Sequence, residues 1–229
     1  MHVLTANIVP MIQSADYIEI NRTAYDSLAD EYRARREPDR QKDTLLVRPF
    51  VRLLRQSFGN DRLRVLDVGC GNGLNLSMFA DEGMEVTGID ISQRMLRVAR
   101  ETCPTATLIH ADFLSHPFQP GSFHGVFAKA SIHLFPMPDA LRLLAKTYAL
   151  LLPGGVFYVT TTVESAPSEG LREKTDYEGG IRRYRRMWSE NDLRRAVSDS
   201  GFHIVETGYN QEPERGKIWF NIWAQRKAR

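Results

Sequence analysis

The chain has 229 residues, 42% of them hydrophobic and 25% charged, a composition that excludes wholesale disorder and suffices for one α/β domain with a full core and a small cap. Its 30 basic and 28 acidic side chains leave a formal charge of +2. That balance argues against a dedicated nucleic-acid binder, whose footprint is a strong basic excess.

Residues 1–12 are mildly apolar but lack a basic stretch and a long apolar run, so they read as neither signal peptide nor anchor. No apolar run approaches the roughly 20 residues needed to span a bilayer. Tyr25, Leu28, Ala29 and Tyr32 recur at helical spacing and predict a helix over 24–36, interrupted at Pro38. A second helix is predicted over 44–58 and stops near Gly59-Asn60, with Pro49 leaving its start open. Residues 1–60 thus form a helical lid or cap, and 61–229 the main part of a single-domain chain.

From residue 63 strands and helices alternate. Strands are predicted at 63–68, 84–89, 106–110, 123–128 and 156–162, and helices at 74–82, 92–102 and 139–152. A helix over 190–200 and strands at 202–207 and 218–226 close the chain. Ser92 is a natural N-cap, and Gly83 and Gly201 are natural helix stops. This order predicts a Rossmann-like, seven-stranded, mostly parallel sheet with helices on both faces. The last two strands are close enough in sequence to pair as a hairpin, which makes one edge strand antiparallel. Cys70 and Cys103 stand outside any CxxC or His-rich context. No metal site and no disulfide framework is expected, and the usage fits a reducing, cytoplasmic compartment.

The most informative stretch runs from Val65 to Gly73, an apolar strand entering a turn with glycines at 69, 71 and 73. Glycine permits unusual backbone angles and lets a ligand approach without a Cβ in the way. The next helix offers free N–H groups. Asp90 ends the second strand 23 residues after Asp67, where a carboxylate can accept hydrogen bonds from ribose hydroxyls.

With these features the sequence resembles the class I S-adenosylmethionine-dependent methyltransferases of the small-molecule kind. Asp67-Val68-Gly69-Cys70-Gly71-Asn72-Gly73 is similar to the family's DxGCGxG loop, and Gly88-Ile89-Asp90-Ile91-Ser92 with Met95-Leu96 to its acidic strand end. Ala111-Asp112-Phe113 and Leu151-Leu152-Pro153-Gly154-Gly155 complete the pattern. The resemblance is strong over 63–162 and implies S-adenosylmethionine as cofactor, with S-adenosylhomocysteine as product. It implies that Gly69, Cys70, Gly71 and Gly73 line the methionine moiety and ribose, with Asp67 supporting the loop. Asp90 would chelate the ribose, Ile91 and Met95 would pack on the adenosine, and Asp112 and Phe113 would hold the adenine. Lys129 and Ala130 would lie near the transferring methyl.

Methyl transfer from a sulfonium is an in-line displacement in which orientation and exclusion of water supply much of the acceleration. His133 lies where the family commonly faces its acceptor and is the candidate base, or else a structural residue before Pro136. Tyr25, Tyr32 and Tyr17 either fold over the cofactor, where an aromatic face attracts a sulfonium, or simply pack their helix. Arg182, Arg183, Arg185 and Arg186 either bind an acceptor carboxylate or phosphate or form a solvated helix face. Neither an Asn/Asp-Pro-Pro-Tyr motif nor a cysteine follows the fourth strand, which sets aside nucleic-acid amino and base-carbon methylation. The expected partner is a small-molecule acceptor methylated on O, N or activated C, with no nucleic acid, no membrane, and a monomer or homodimer. An RNA-modifying enzyme and a non-catalytic S-adenosylmethionine-binding regulator are the alternatives.

Overall fold

The computed structural model describes residues 14–60, 62–175, 179–213 and 216–228, so the reading of residues 1–12 lies outside the described residues. Two helices come first, α1 (Ser14–Ala34) and α2 (Arg36–Phe58). They part at Arg35, not at Pro38, which falls in the first turn of α2. A proline is tolerated there because N–H groups of a first turn have no intrahelical acceptor. Pro49 lies inside α2 without ending it. An interior proline costs about 3 kcal/mol, whereas each fully buried Leu or Phe contributes about 1.5–3 kcal/mol. Leu46, Val47, Phe50, Val51, Leu53 and Leu54 are all buried, so packing decides.

The main sheet combines β1 (Arg64–Val68), β2 (Glu85–Asp90), β3 (Thr107–His110), β4 (Phe123–Lys129), β5 (Leu151–Thr162), β8 (Phe202–Glu212) and β9 (Lys217–Arg226). Its order is β3-β2-β1-β4-β5-β9-β8. β1 to β5 pair in parallel, and β9 runs antiparallel to both β5 and β8, as the closing hairpin requires. Strand alternation sorts the core into two layers. Leu66, Val68, Val126, Ala128, Phe157 and Val159 face one side, which α5 (Met137–Leu150) and α6 (Glu190–Asp199) cover. Val65, Phe127, Val156 and Tyr158 face the other, under α2, α3 (Leu74–Asp81) and α4 (Gln93–Thr102).

A second sheet of two antiparallel strands, β6 (Ser168–Glu173) and β7 (Arg182–Met187), has no counterpart in the predicted elements. Neither strand carries the alternation of apolar residues that marks a half-buried strand. The arginine run is therefore a strand and not a solvated helix face. Arg183 is buried while Arg182 is exposed. Val163 bridges to Trp188, joining this ribbon to the end of β5. Among the described residues no helix is long and apolar enough to cross a membrane.

Candidate functional site

Open α/β sheets leave a crevice at the carboxyl ends of their strands where strand order reverses, here between β1 and β4. A cavity of about 220 Å³ opens at that edge. Every nominated site residue lines it except Gly73.

The loop after β1 is tied to its neighbour strand, since the N–H groups of Gly69 and Cys70 both donate to the Ile89 carbonyl, at 2.9 and 3.2 Å. Gly71 has φ of 51°. A Cβ there would meet no atom within 4 Å, so its backbone borders open space. Gly73 acts differently from its expected role. It caps α3 at φ of 76°, and a Cβ on it would lie 2.8 Å from Ala99 Cα. Its lack of a side chain lets α3 approach α4. Cys70 sits under the loop, and burial pushes its thiol well above the usual range, so it is a packing residue and not a nucleophile.

Asp90 is held by two backbone donors, Gly71 N–H to Oδ2 at 2.9 Å and Ser92 N–H to Oδ1 at 2.8 Å. Burial raises its pKa, and those two hydrogen bonds oppose the shift. Ser92 caps α4 and donates to Asp26 of α1 at 2.6 Å. Met95 is buried against Leu28 and Ala29 of α1 while also lining the cavity, so packing and site roles coincide. Ile91 completes that wall. Asp112 accepts from Ser115 N–H at 2.9 Å, a local turn, and still lines the cavity. Phe113 is buried beside it in the core.

Asp67 is 2% exposed, and burial pushes its carboxyl up to about 8, with Lys129 opposing and Asp90 and Asp43 reinforcing. Lys129 Nζ lies 2.6 and 2.5 Å from the two carboxylate oxygens of Asp43, on α2. Asp43 also accepts from Asn75 Nδ2 at 2.9 Å. Sequence reading missed Asp43 because it is one acid on a polar helix turn, and nothing local shows what faces it. Next to Lys129, Ala130 has φ of 54°, a left-handed conformation costing a non-glycine residue about 1–2 kcal/mol.

The cap comes from both ends of the chain. Tyr25 and Tyr32 stand 6.1 Å apart, ring centre to ring centre, on the cavity wall. Arg183 donates to the Tyr25 hydroxyl, and Asn72 Nδ2 donates to the Tyr32 carbonyl at 2.8 Å. Tyr17 also lines the cavity and donates to Asp139 at 2.9 Å. Buried Asn21 ties three elements together. Its Nδ2 donates to the Leu134 carbonyl at 3.0 Å, and its Oδ1 accepts from Tyr184 N–H of β7 at 2.9 Å.

His133 lies in a short 3-10 turn (Ile132–Leu134) after β4 and is 1% exposed. Its Nδ1 is 3.0 Å from Thr161 Oγ1, and its Nε2 makes no hydrogen bond among the described residues. Burial, followed by Arg185, Arg183, Lys174 and Lys217, pushes its pKa well below the usual value, so the ring is neutral at pH 7. Ser131 Oγ and Trp219 Nε1 are likewise buried without a partner, and both residues line the cavity. Trp219, Lys174 and Lys217 carried no sequence signal, because they reach the cavity through the ribbon and the antiparallel hairpin. Among the described residues no group of three or more His, Cys, Asp or Glu side chains is placed to hold a metal ion.

A doubly wound sheet with a glycine turn after β1 and a carboxylate ending β2 has the architecture of class I methyltransferases. Residues 65–155 match the family model described as "Methyltransferase domain". Two similar curated proteins are a trans-aconitate 2-methyltransferase from Rhodopseudomonas palustris and a ubiquinone biosynthesis O-methyltransferase from Vibrio vulnificus. The first is 36% identical over 115 residues, covering 49% of this chain and 44% of that protein. The second is 34% identical over 102 residues, covering 43% of each. The chain thus spans less than half the length of these relatives. Among solved structures, the 1,6-didemethyltoxoflavin-N1-methyltransferase of Burkholderia thailandensis, with that compound and S-adenosylhomocysteine bound, has a TM-score of 0.73. It is 20% identical, with 99% of this chain and 98% of that one covered. The magnesium protoporphyrin IX methyltransferase of Synechocystis PCC 6803 has a TM-score of 0.71 at 19% identity, covering 93% of this chain and all of that one. At these identities the likeness is one of fold.

Proposed function

We propose that the protein transfers a methyl group from S-adenosylmethionine to a small-molecule acceptor. One observation carries this reading: within a methyltransferase domain, the Gly69–Gly71 turn, Asp90, Met95, Asp112 and Phe113 line one cavity at the carboxyl edge of the sheet. The residues present suit the cofactor. Gly71 presents backbone without a Cβ to open space, Asp90 offers a fixed carboxylate to a ribose diol, and Asp112 is placed to accept from an adenine amine. Bound S-adenosylmethionine supplies a methyl already activated on sulfur.

The chain's own residues then orient and enclose. Residues up to 60 act as the lid, with Tyr25 and Tyr32 forming an aromatic wall suited to a cationic group. Lys129, fixed by Asp43, positions the floor beside Ala130. His133 in its neutral form accepts a proton from the acceptor through Nε2, while Thr161 holds Nδ1. Its low pKa makes it a weak base, so this role suits an acceptor whose proton is already acidic. A cavity of about 220 Å³ enclosed by a cap favours a small acceptor over a nucleic acid.

The test is calorimetric titration of S-adenosylhomocysteine into the wild type and Asp90→Ala. Losing both ribose hydrogen bonds to a charged acceptor lowers affinity by about tenfold or more. Equal affinity in the two proteins refutes the ribose assignment, and no binding to the wild type refutes the whole reading.

A further inference from the structure

Three buried polar atoms of cavity-lining residues have no hydrogen-bond partner among the described residues: Ser131 Oγ, His133 Nε2 and Trp219 Nε1. Unpaired buried polar atoms are costly and rare, so a cluster of them around one cavity points to a ligand that supplies the partners. The His133 and Trp219 rings stand 6.2 Å apart, centre to centre, within reach of one small molecule. Ser131 packs against the glycine turn, where a Cβ on Gly69 would lie 3.1 Å from Ser131 Cβ, so the cluster abuts the cofactor side.

The direction of each missing bond can be read. Thr161 Oγ1 donates its one hydrogen to the Thr162 carbonyl at 3.3 Å, so across its 3.0 Å contact with His133 Nδ1 it accepts. Nδ1 therefore carries the imidazole's hydrogen. The ring is neutral, so Nε2 holds a lone pair and can only accept. The Trp219 indole N–H can only donate, and the Ser131 hydroxyl can do either. The cluster thus asks its ligand for a donor at His133 and an acceptor at Trp219. Tyr17, Tyr25, Tyr32, Phe135 and Trp219 line the cavity with aromatic surface, which favours a flat ring. Oxygen suits the donor position better than nitrogen. A trigonal ring nitrogen has one in-plane site, which its hydrogen occupies, whereas a hydroxyl bonded to His133 keeps a lone pair for the methyl group.

Building on the methyl-transfer reading, we propose that the acceptor is a flat, neutral enol or phenol with a carbonyl beside its hydroxyl. The hydroxyl donates to His133 Nε2 and the carbonyl accepts from Trp219 Nε1. Thr161 is the positioning residue that fixes the His133 tautomer. The hydroxyl oxygen forms the new bond to carbon as the carbon–sulfur bond breaks, the bonding pair stays on sulfur, and the proton passes to Nε2. Conjugation to the carbonyl makes that proton acidic, as a weak base requires, and Trp219 stabilises the charge that develops on the carbonyl oxygen.

The test is nitrogen NMR on protein with isotope-labelled histidine, the His133 signals being identified by their loss in His133→Gln. At pH 7 the hydrogen is expected on Nδ1, and Thr161→Val is expected to move it toward Nε2. Maltol, a flat hydroxy-carbonyl ring, is expected to shift the Nε2 signal. It is expected to bind about tenfold or more tighter than its O-methyl ether, which lacks the donor, and than phenol, which lacks the carbonyl. Trp219→Phe, at a partly exposed site, is expected to lose about tenfold of maltol affinity while binding S-adenosylhomocysteine normally. That variant and the wild-type spectrum decide if Thr161→Val does not fold. A hydrogen on Nε2 in the wild type, an unmoved tautomer in folded Thr161→Val, maltol binding no tighter than its ether or phenol, or full maltol affinity in Trp219→Phe overturns the proposal. Failure of S-adenosylhomocysteine to bind refutes the methyl-transfer reading instead, and the tautomer and the maltol titration in ligand-free protein still decide this one.

Discussion

Asp67 offers the sharpest test of the site's electrostatics, because its carboxyl is pushed up to about 8 by burial. In the free protein it is mostly protonated at neutral pH. S-adenosylmethionine carries a sulfonium and an ammonium against one carboxylate of its own, and placing the two cationic groups beside Asp67 favours ionisation of Asp67. Binding therefore expels a proton, and affinity rises with pH until Asp67 is ionised in the free protein as well. If the carboxyl titrates below pH 5 in the complex, linkage makes binding weaker at pH 6 than at pH 7.5 by about 25-fold, or ~1.9 kcal/mol. Stability gives the second signature. A carboxyl whose folded pKa is raised stabilises the fold at low pH and loses that contribution as pH rises through about 8, so ligand-free protein melts at a lower temperature at pH 8 than at pH 6 as far as Asp67 decides. The assay is calorimetry at several pH values in buffers of different ionisation enthalpy, which counts the released proton directly. Asp67→Asn keeps the neutral shape and abolishes the slope. Affinity that does not change with pH, or a slope that persists in Asp67→Asn, refutes the reasoning.

Three further outcomes are expected. Gly73→Ala drives a Cβ to 2.8 Å from Ala99 at a left-handed φ, so denaturant unfolding shows a loss of about 2–3 kcal/mol. Ala130→Gly relieves the positive φ beside Lys129 and raises stability by up to about 1 kcal/mol in the same assay, and a loss refutes the strain. His133→Gln lowers turnover by about 100-fold while S-adenosylhomocysteine affinity holds, whereas unchanged turnover across pH removes His133 from the chemistry.

Fold and donor side were largely legible in the sequence, for a physical reason. From Val65 to Asp90 the apolar strand, the glycine turn and the acid at the next strand end are local consequences of one β-turn-α-β path, so neighbours in sequence are neighbours in space. The acceptor side was opaque. Lys129 meets Asp43 from 86 positions away, and Asn21 meets Tyr184 from 163 away, contacts that no window of sequence contains. β6 and β7 escaped for another reason. Ser168–Glu173 is exposed along most of its length, and Arg182–Met187 buries Arg183 where a strand is recognised by apolar residues. Gly73 was legible as a glycine that mattered but not for what, since Ala99 on α4 is the group that requires it.

The pleat of β7 gives its arginines two destinations. Residues two apart point the same way, so Arg183 and Arg185 work together while Arg182 and Arg186 leave on the other face, where Arg186 meets Glu169 at 2.6 Å. One inserted or deleted residue in this ribbon would leave the number of guanidinium groups unchanged and exchange which ones point inward. Tyr184 would then point where Arg183 had pointed, so among relatives of this chain the spacing along the ribbon, and not its arginine content, is the quantity to compare.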